Sequence, residues 1–199
     1  MKKLFNITGY YYQVKDYNFR KYLNIKRKGT DVKIPDLMVV MMNPGSSQPL
    51  NKQDNQRKET PAKPDNTQTQ IMKIMQVGNF NYARVLNLSD VREPKSELLY
   101  PMLKKMEAQN INHSIFAEER KDDFNKLWIK NTSVIFGWGV NYRLRYLALK
   151  ALKALSACDI TNPIGLLKPN TNWAYYHPLP PNTNTQKDWV SGISKQLKK

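Results

Sequence analysis

Cysteine is almost missing from this chain. Cys158 is the only one in 199 residues. One thiol cannot close an intrachain disulfide, and it cannot build a cysteine-based zinc site. It lies in an alanine-rich helical stretch, which suits a buried and inert side chain. Histidine is scarce too: His113 and His177 are the whole set, too few for most metal sites. No run approaches the ~20 apolar residues of a membrane span. The opening "MKKLFNITGYYY" is interrupted by Asn6, Thr8 and Gly9, so it lacks the apolar core of a signal peptide. A cytoplasmic protein with no membrane partner is expected. Neither GxGxxG nor GxxxxGKS occurs, so no phosphate-cradling glycine loop supports a nucleoside-triphosphate enzyme. No cofactor is expected, neither metal nor nucleotide.

Acidic residues are the other shortage. Asp and Glu total 16 against 32 Lys and Arg, a net charge of +16. Such an excess bears on partners and not on fold. It favours a polyanion, and nucleic acid first. Hydrophobic residues make up 40% of the chain. That is too many for a disordered one. The length suits one α/β domain. It is placed at residues 35–199, behind an aromatic and basic strand extension at 1–34, and a monomer is expected.

Residues 10–29, "YYYQVKDYNFRKYLNIKRKG", alternate as one or two strands ending at a turn at Gly29. "LMVVMM" (37–42) is continuously apolar, as in a strand covered on both faces. Residues 46–65 hold three prolines and no aromatics, and predict a long loop. Asp65 is placed to cap the helix begun by "TQTQIMKIM". "YARVLNL" (82–88) predicts a second buried strand. "EPKSELLYPMLKKMEA" predicts a helix broken at Pro101, and "AEERKDDFNKLWIKN" an amphipathic one. "TSVIFGWG" (132–139) reads as a strand stopped by glycines and "YRLRYLALKALKALSA" as a helix. "IGLLK" and "WAYYH" read as short strands. "TQKDWVSGISKQLKK" closes the chain as a helix carrying Trp189 and Ile193. Strands alternating with helices predict a three-layer α/β/α domain with a central, mostly parallel sheet of four to five strands. Ligands bind such sheets beyond the carboxyl ends of the strands. Asn43, Asn87, Gly137, Gly139 and His177 fall at or just past those ends.

Read in order, "MMNPG", "VLNL", "VIFGWG" and "HPLPPN" resemble the strand-end motifs of the uracil-DNA glycosylase superfamily, and most closely its single-strand-selective, mismatch-specific branch. "MNPGS", "DNT", "LNLSDVREP", "GWG" and "HPL" fit still better an uncharacterised bacterial family, which they resemble through its Asn-Pro-Ser, Asp-x-Thr, Asn-Leu, Trp-Gly and His-Pro-Leu signatures. The likeness spans roughly residues 35–198. It implies a uracil-DNA glycosylase-like fold and hydrolysis of the N-glycosidic bond of a deaminated or modified base, with DNA a better partner than RNA.

By that resemblance Asn43 would hold the attacking water through its side-chain carbonyl. An amide takes no proton at neutral pH, so it could only position. His177 would donate to the anionic oxygen of the leaving base. Asn87 would read the edge of an extruded base, while Pro44 and Gly45 would shape the turn after Asn43 and let backbone N–H groups approach the ligand. The superfamily stacks an aromatic on the base just after the first motif. Residues 46–79 hold none, which leaves Phe80 and Tyr82 as candidates. Ser46, Ser47, Lys52, Arg57, Lys58, Lys63, Asn182 and Lys187 are the candidates to meet the nucleic-acid backbone. Leu179 stands where that branch carries serine, and could wedge into the base stack. Two other functions fit the same residues: a non-catalytic nucleic-acid-binding module, and a hydrolase of free nucleosides or nucleotides.

Overall fold

The computed structural model describes residues 1–160 and 162–198. Six strands form one sheet: β1 (Phe5–Val14), β2 (Tyr17–Arg27), β3 (Leu37–Met41), β4 (Glu59–Pro61), β5 (Tyr82–Asn87) and β6 (Ser133–Gly137). Their order is β4-β1-β2-β5-β3-β6. The helices are α1 (Asn66–Val77), α2 (Ser96–Ala108), α3 (Lys121–Leu127), α4 (Arg145–Leu155) and α5 (Thr183–Leu197).

The expected mostly parallel sheet of four to five strands is corrected here. Only β5-β3 and β3-β6 are parallel, while β4-β1, β1-β2 and β2-β5 are antiparallel. The cause is the amino-terminal segment. It folds into a long hairpin whose second strand pairs with β5 from Leu23 to Lys26. That hairpin turns at Lys15-Asp16, where Val14 pairs with Tyr17 and Lys15 adopts φ +50°. Gly29 lies beyond β2, with its own positive φ.

Strand alternation divides the interior. Met38 and Val40 of β3 pack with side chains of α2, α3 and α4, including Leu103, Phe124 and Ala148. Leu37, Val39 and Met41 pack on the other face with α1 and α5, through Ile71, Ile74, Trp189 and Ile193. A strand buried on both faces has no use for a polar position, which explains the unbroken apolar run.

Asp65 caps α1 as expected. Its carboxylate accepts from the Gln68 backbone N–H at 2.7 Å, and the Gln68 side chain accepts from the Asp65 N–H at 3.3 Å. The two bonds make a full capping box. Three local expectations fail. Pro101 lies inside α2 without ending it. "AEERKDDFNKLWIKN" yields only a 3-10 turn and the short α3. "IGLLK" and "WAYYH" form isolated bridges at Ile164, Leu167 and Tyr175. Cys158 is buried, and burial pushes its thiol up from the usual range. Among the described residues no helix is long and apolar enough to cross a membrane.

Candidate functional site

The carboxyl ends of the parallel strands open onto a cleft of about 450 Å³. Asn43, Asn87 and His177 all line it, as do Pro44, Gly45, Ser46 and Leu179. Asn43 stands two residues past β3, and Asn87 is the last residue of β5. The two strand exits stay in register beyond the sheet: Leu88 N–H donates to Met41 O and Ser89 N–H to Met42 O.

The Asn43 amide is locked. Its Nδ2 donates to Val91 O at 3.2 Å and to Glu93 O at 2.8 Å. Both partners are carbonyls, which fixes the amide orientation and leaves Oδ1 as the atom free to accept. Asn43 therefore also latches the loop after β5. Asn43→Ala strands two partly buried carbonyls, and should cost about 1–3 kcal/mol. The check is the denaturant midpoint.

His177 is held by its surroundings on both sides. The indole of Trp189 donates to Tyr176 O at 2.9 Å, and Gln186 Nε2 donates to Pro180 O at 2.7 Å, so α5 fixes the His-Pro-Leu turn. Pro178 packs on the end of β6, where a Cβ on Gly137 would meet its Cδ at 3.2 Å. A side chain at Gly137 would crowd that proline, and Gly139 adopts φ +106°. Leu179 N–H donates to His177 Nδ1 at 3.1 Å. Nδ1 is thus the acceptor, and a neutral ring carries its proton on Nε2. Burial pushes the imidazole down to about 4, so the ring is neutral at pH 7 and presents one donor.

This has a measurable consequence. Between about pH 6.5 and 4 the unfolded chain takes up a proton on this ring that the folded chain refuses. Stability contributed by the neutral ring is present above that window and falls as the pH drops through it, by up to about 3 kcal/mol. The difference in stability between wild type and His177→Gln should therefore shrink as pH falls from 7 to 4.5 in urea titrations.

Asn87 is fully buried, and among the described residues its Nδ2 has no hydrogen-bond partner. Its Oδ1 lies 3.5 Å from Arg20 Nη2. Arg20 is a site residue that the sequence concealed. It comes from β2, is 3% exposed and lines the cleft. Lys2 and the first residues of α1 line it as well.

Several expected contacts lie elsewhere. Phe80 and Tyr82 stand at the amino end of β5, whose first residue is Tyr82 and whose last is Asn87. At the rise of an extended chain that puts Tyr82 about 16 Å from Asn87 along the strand. Phe80 packs against Gly78 near α5, and neither residue lines the cleft. The two ends of β5 lie on opposite rims of the sheet, and closeness in sequence misled. Ser47 is buried, with its hydroxyl 3.0 Å from the Tyr11 hydroxyl, so it ties the loop to β1 and does not face solvent. Asn182 caps α5, accepting from Asn184 N–H at 2.8 Å. Lys52, Arg57, Lys58, Lys63 and Lys187 are exposed but none lines the cleft; its basic side chains are Lys2 and Arg20.

A second basic surface was also missed. Tyr142 and Tyr146 are 73% and 64% exposed at the start of α4. Arg145 lies 5.9 Å over the Tyr142 ring, Lys150 5.5 Å over Tyr146, and Arg143 5.3 Å over Tyr100 of α2. Tyr100, Tyr142, Arg143, Arg145 and Tyr146 border a hollow between α2 and α4 of about 750 Å³. "YRLRY" carried the signal, hidden inside a segment whose periodicity reads as helix.

Residues 22–179 match the sequence profile of a family described as protein of unknown function (DUF1643). The match covers most of the chain, and the chain belongs to that family. No curated protein and no solved structure matches.

Proposed function

We propose that this member of the DUF1643 family binds nucleic acid, DNA before RNA, and hydrolyses the N-glycosidic bond of a deaminated or modified base. One observation carries the proposal. A neutral histidine with its proton on Nε2, a locked amide with a free Oδ1, and a buried amide with a free Nδ2 share one cleft. Those are the three jobs the reaction needs filled. Water adds to the sugar carbon as the C–N bond breaks, and the electron pair leaves with the base. The water proton ends on the departing base. Asn43 Oδ1 would hold the water, Asn87 the base edge, and His177 Nε2–H the oxygen on which charge develops.

The surface chemistry supports the polymer partner. The net charge of +16 and the exposed Tyr142 and Tyr146, each beside a cation, suit stacking on unpaired bases between phosphates. Tyr142→Ala and Tyr146→Ala should each weaken single-stranded oligonucleotide binding by about 1–3 kcal/mol. Fluorescence anisotropy at fixed salt measures it, and affinity should fall steeply as salt rises.

One observation favours a non-catalytic binding module instead: among the described residues, no Phe, Tyr or Trp lines the cleft. The separating experiment incubates the protein with labelled oligonucleotides carrying uracil, hypoxanthine or an oxidised pyrimidine. Alkali-sensitive abasic sites in any of them support hydrolysis. Tight binding with no abasic site in any leaves the module.

A further inference from the structure

A guanidinium buried without a counter-charge is a costly thing for a fold to keep. Arg20 is 3% exposed, yet among the described residues it makes no ion pair. Among the described residues its Nε has no partner of any kind, and its one side-chain hydrogen bond is the long 3.5 Å contact to Asn87 Oδ1. Desolvation pushes it down from its ordinary range, and the Asp65 and Asp90 carboxylates, beyond ion-pair distance, offset that only in part. Beside it, Asn87 Nδ2 is a second buried donor without an acceptor. Both residues line the cleft. The amino end of α1 opens there too: Asn66 and Thr67 are in its lining, and N–H groups of a first turn have no intrahelical acceptor. The carboxylate of Asp65 opposes an anion here, but both its oxygens already accept from Gln68.

We propose that Arg20, Asn87 and the first turn of α1 form an oxyanion subsite at the floor of the cleft, built for a ligand group with several acceptor oxygens and a negative charge. Two sources share that chemistry, the phosphate of a nucleotide and an acidic nucleobase bearing a carboxylate or an ionised imide. In either case Arg20 is a binding residue whose counter-charge is supplied by the ligand. The subsite rests on the cleft being a ligand site, as proposed above, but not on any bond being broken there.

The test is thermal unfolding of the full chain in inorganic phosphate, in 6-carboxyuracil and in neutral uracil, each matched in ionic strength with chloride. Wild type should rise in Tm with phosphate or with 6-carboxyuracil, and the stronger response names the source. Arg20→Met should lose that rise. Its own Tm in chloride should equal or exceed wild type, because a buried charge with no ion-pair contact has been replaced by an apolar chain of similar length. Asn87→Asp gives a second reading if Arg20→Met does not fold. Its carboxylate supplies the counter-charge internally, so Tm in chloride should rise and the anion response should vanish. Wild type indifferent to both anions overturns the subsite. So does an undiminished response in a folded Arg20→Met, or in Asn87→Asp. Base release from oligonucleotides is a separate readout, so failure of hydrolysis and failure of the subsite are told apart.

Discussion

Asp90→Ala should cost about 3–5 kcal/mol of stability, the range for breaking one side of a buried ion pair. Asp90 is fully buried three residues past Asn87. Its Oδ2 accepts from Arg120 Nη1 and, at 3.2 Å, from the Tyr12 hydroxyl. Burial pushes the carboxyl up, and its partner Arg120 is held above its ordinary range by Asp90 despite its own burial. With the carboxylate gone, Arg120 keeps only the more exposed Asp123 at 3.3 Å. The Tyr12 hydroxyl loses its acceptor. At this chain length the loss corresponds to a fall in Tm on the order of 10 °C. A lower urea midpoint at unchanged slope is the expected signature. The effect should reach the cleft as well, because Arg20 N–H donates to Asp90 O at 2.9 Å and Asp90 N–H to His113 O at 2.7 Å. A wild-type midpoint in Asp90→Ala would mean that the ion pair holds nothing.

The second large effect is kinetic. His177→Ala should slow base release about a hundredfold, near 3 kcal/mol, by analogy with deleting one oxyanion donor. The size follows from the way the ring is held. α5 pins the carbonyls on either side of it, and Leu179 N–H fixes its tautomer. A donor that needs no reorganisation acts fully as charge develops. His177→Gln returns a donor but not the fixed geometry, so it should recover part of the loss. DNA affinity should change little in both variants, since the contact proposed for the ring is with the base and not the phosphates.

How much of this could be seen in the sequence depends on the range of the interactions concerned. "LMVVMM" announces a buried strand because coverage on both faces removes every polar position, "YARVLNL" does so with Arg84 as its one polar interruption, and their polar stops marked Asn43 and Asn87 as residues at one edge. The cap at Asp65 was legible because a capping box is written within one short local stretch. The hairpin was not, since Lys15-Asp16 carries none of the Asn-Gly or Gly-containing chemistry that marks two-residue turns. The turn expected at Gly29 does follow β2, but the unmarked turn at Lys15-Asp16 hid the antiparallel half of the sheet. It hid Arg20 too. Among alternating tyrosines and lysines Arg20 reads as an edge-strand cation, and only pairing with β5, far along the chain, buries it beside Asn87. Phe80 and Tyr82 failed for the converse reason: near in sequence to Asn87, they sit at the other end of its strand.

The most direct measurement is a single-turnover time course on an oligonucleotide with one labelled base, with no metal or nucleotide added. Wild type runs beside Asn43→Ala, His177→Ala and Asn87→Asp, with bound DNA quantified in the same samples. The account predicts free base and an abasic strand from wild type, release slowed about a hundredfold in His177→Ala, and altered base choice in Asn87→Asp. Bound DNA with no release from wild type, or release at the wild-type rate from His177→Ala, would contradict it.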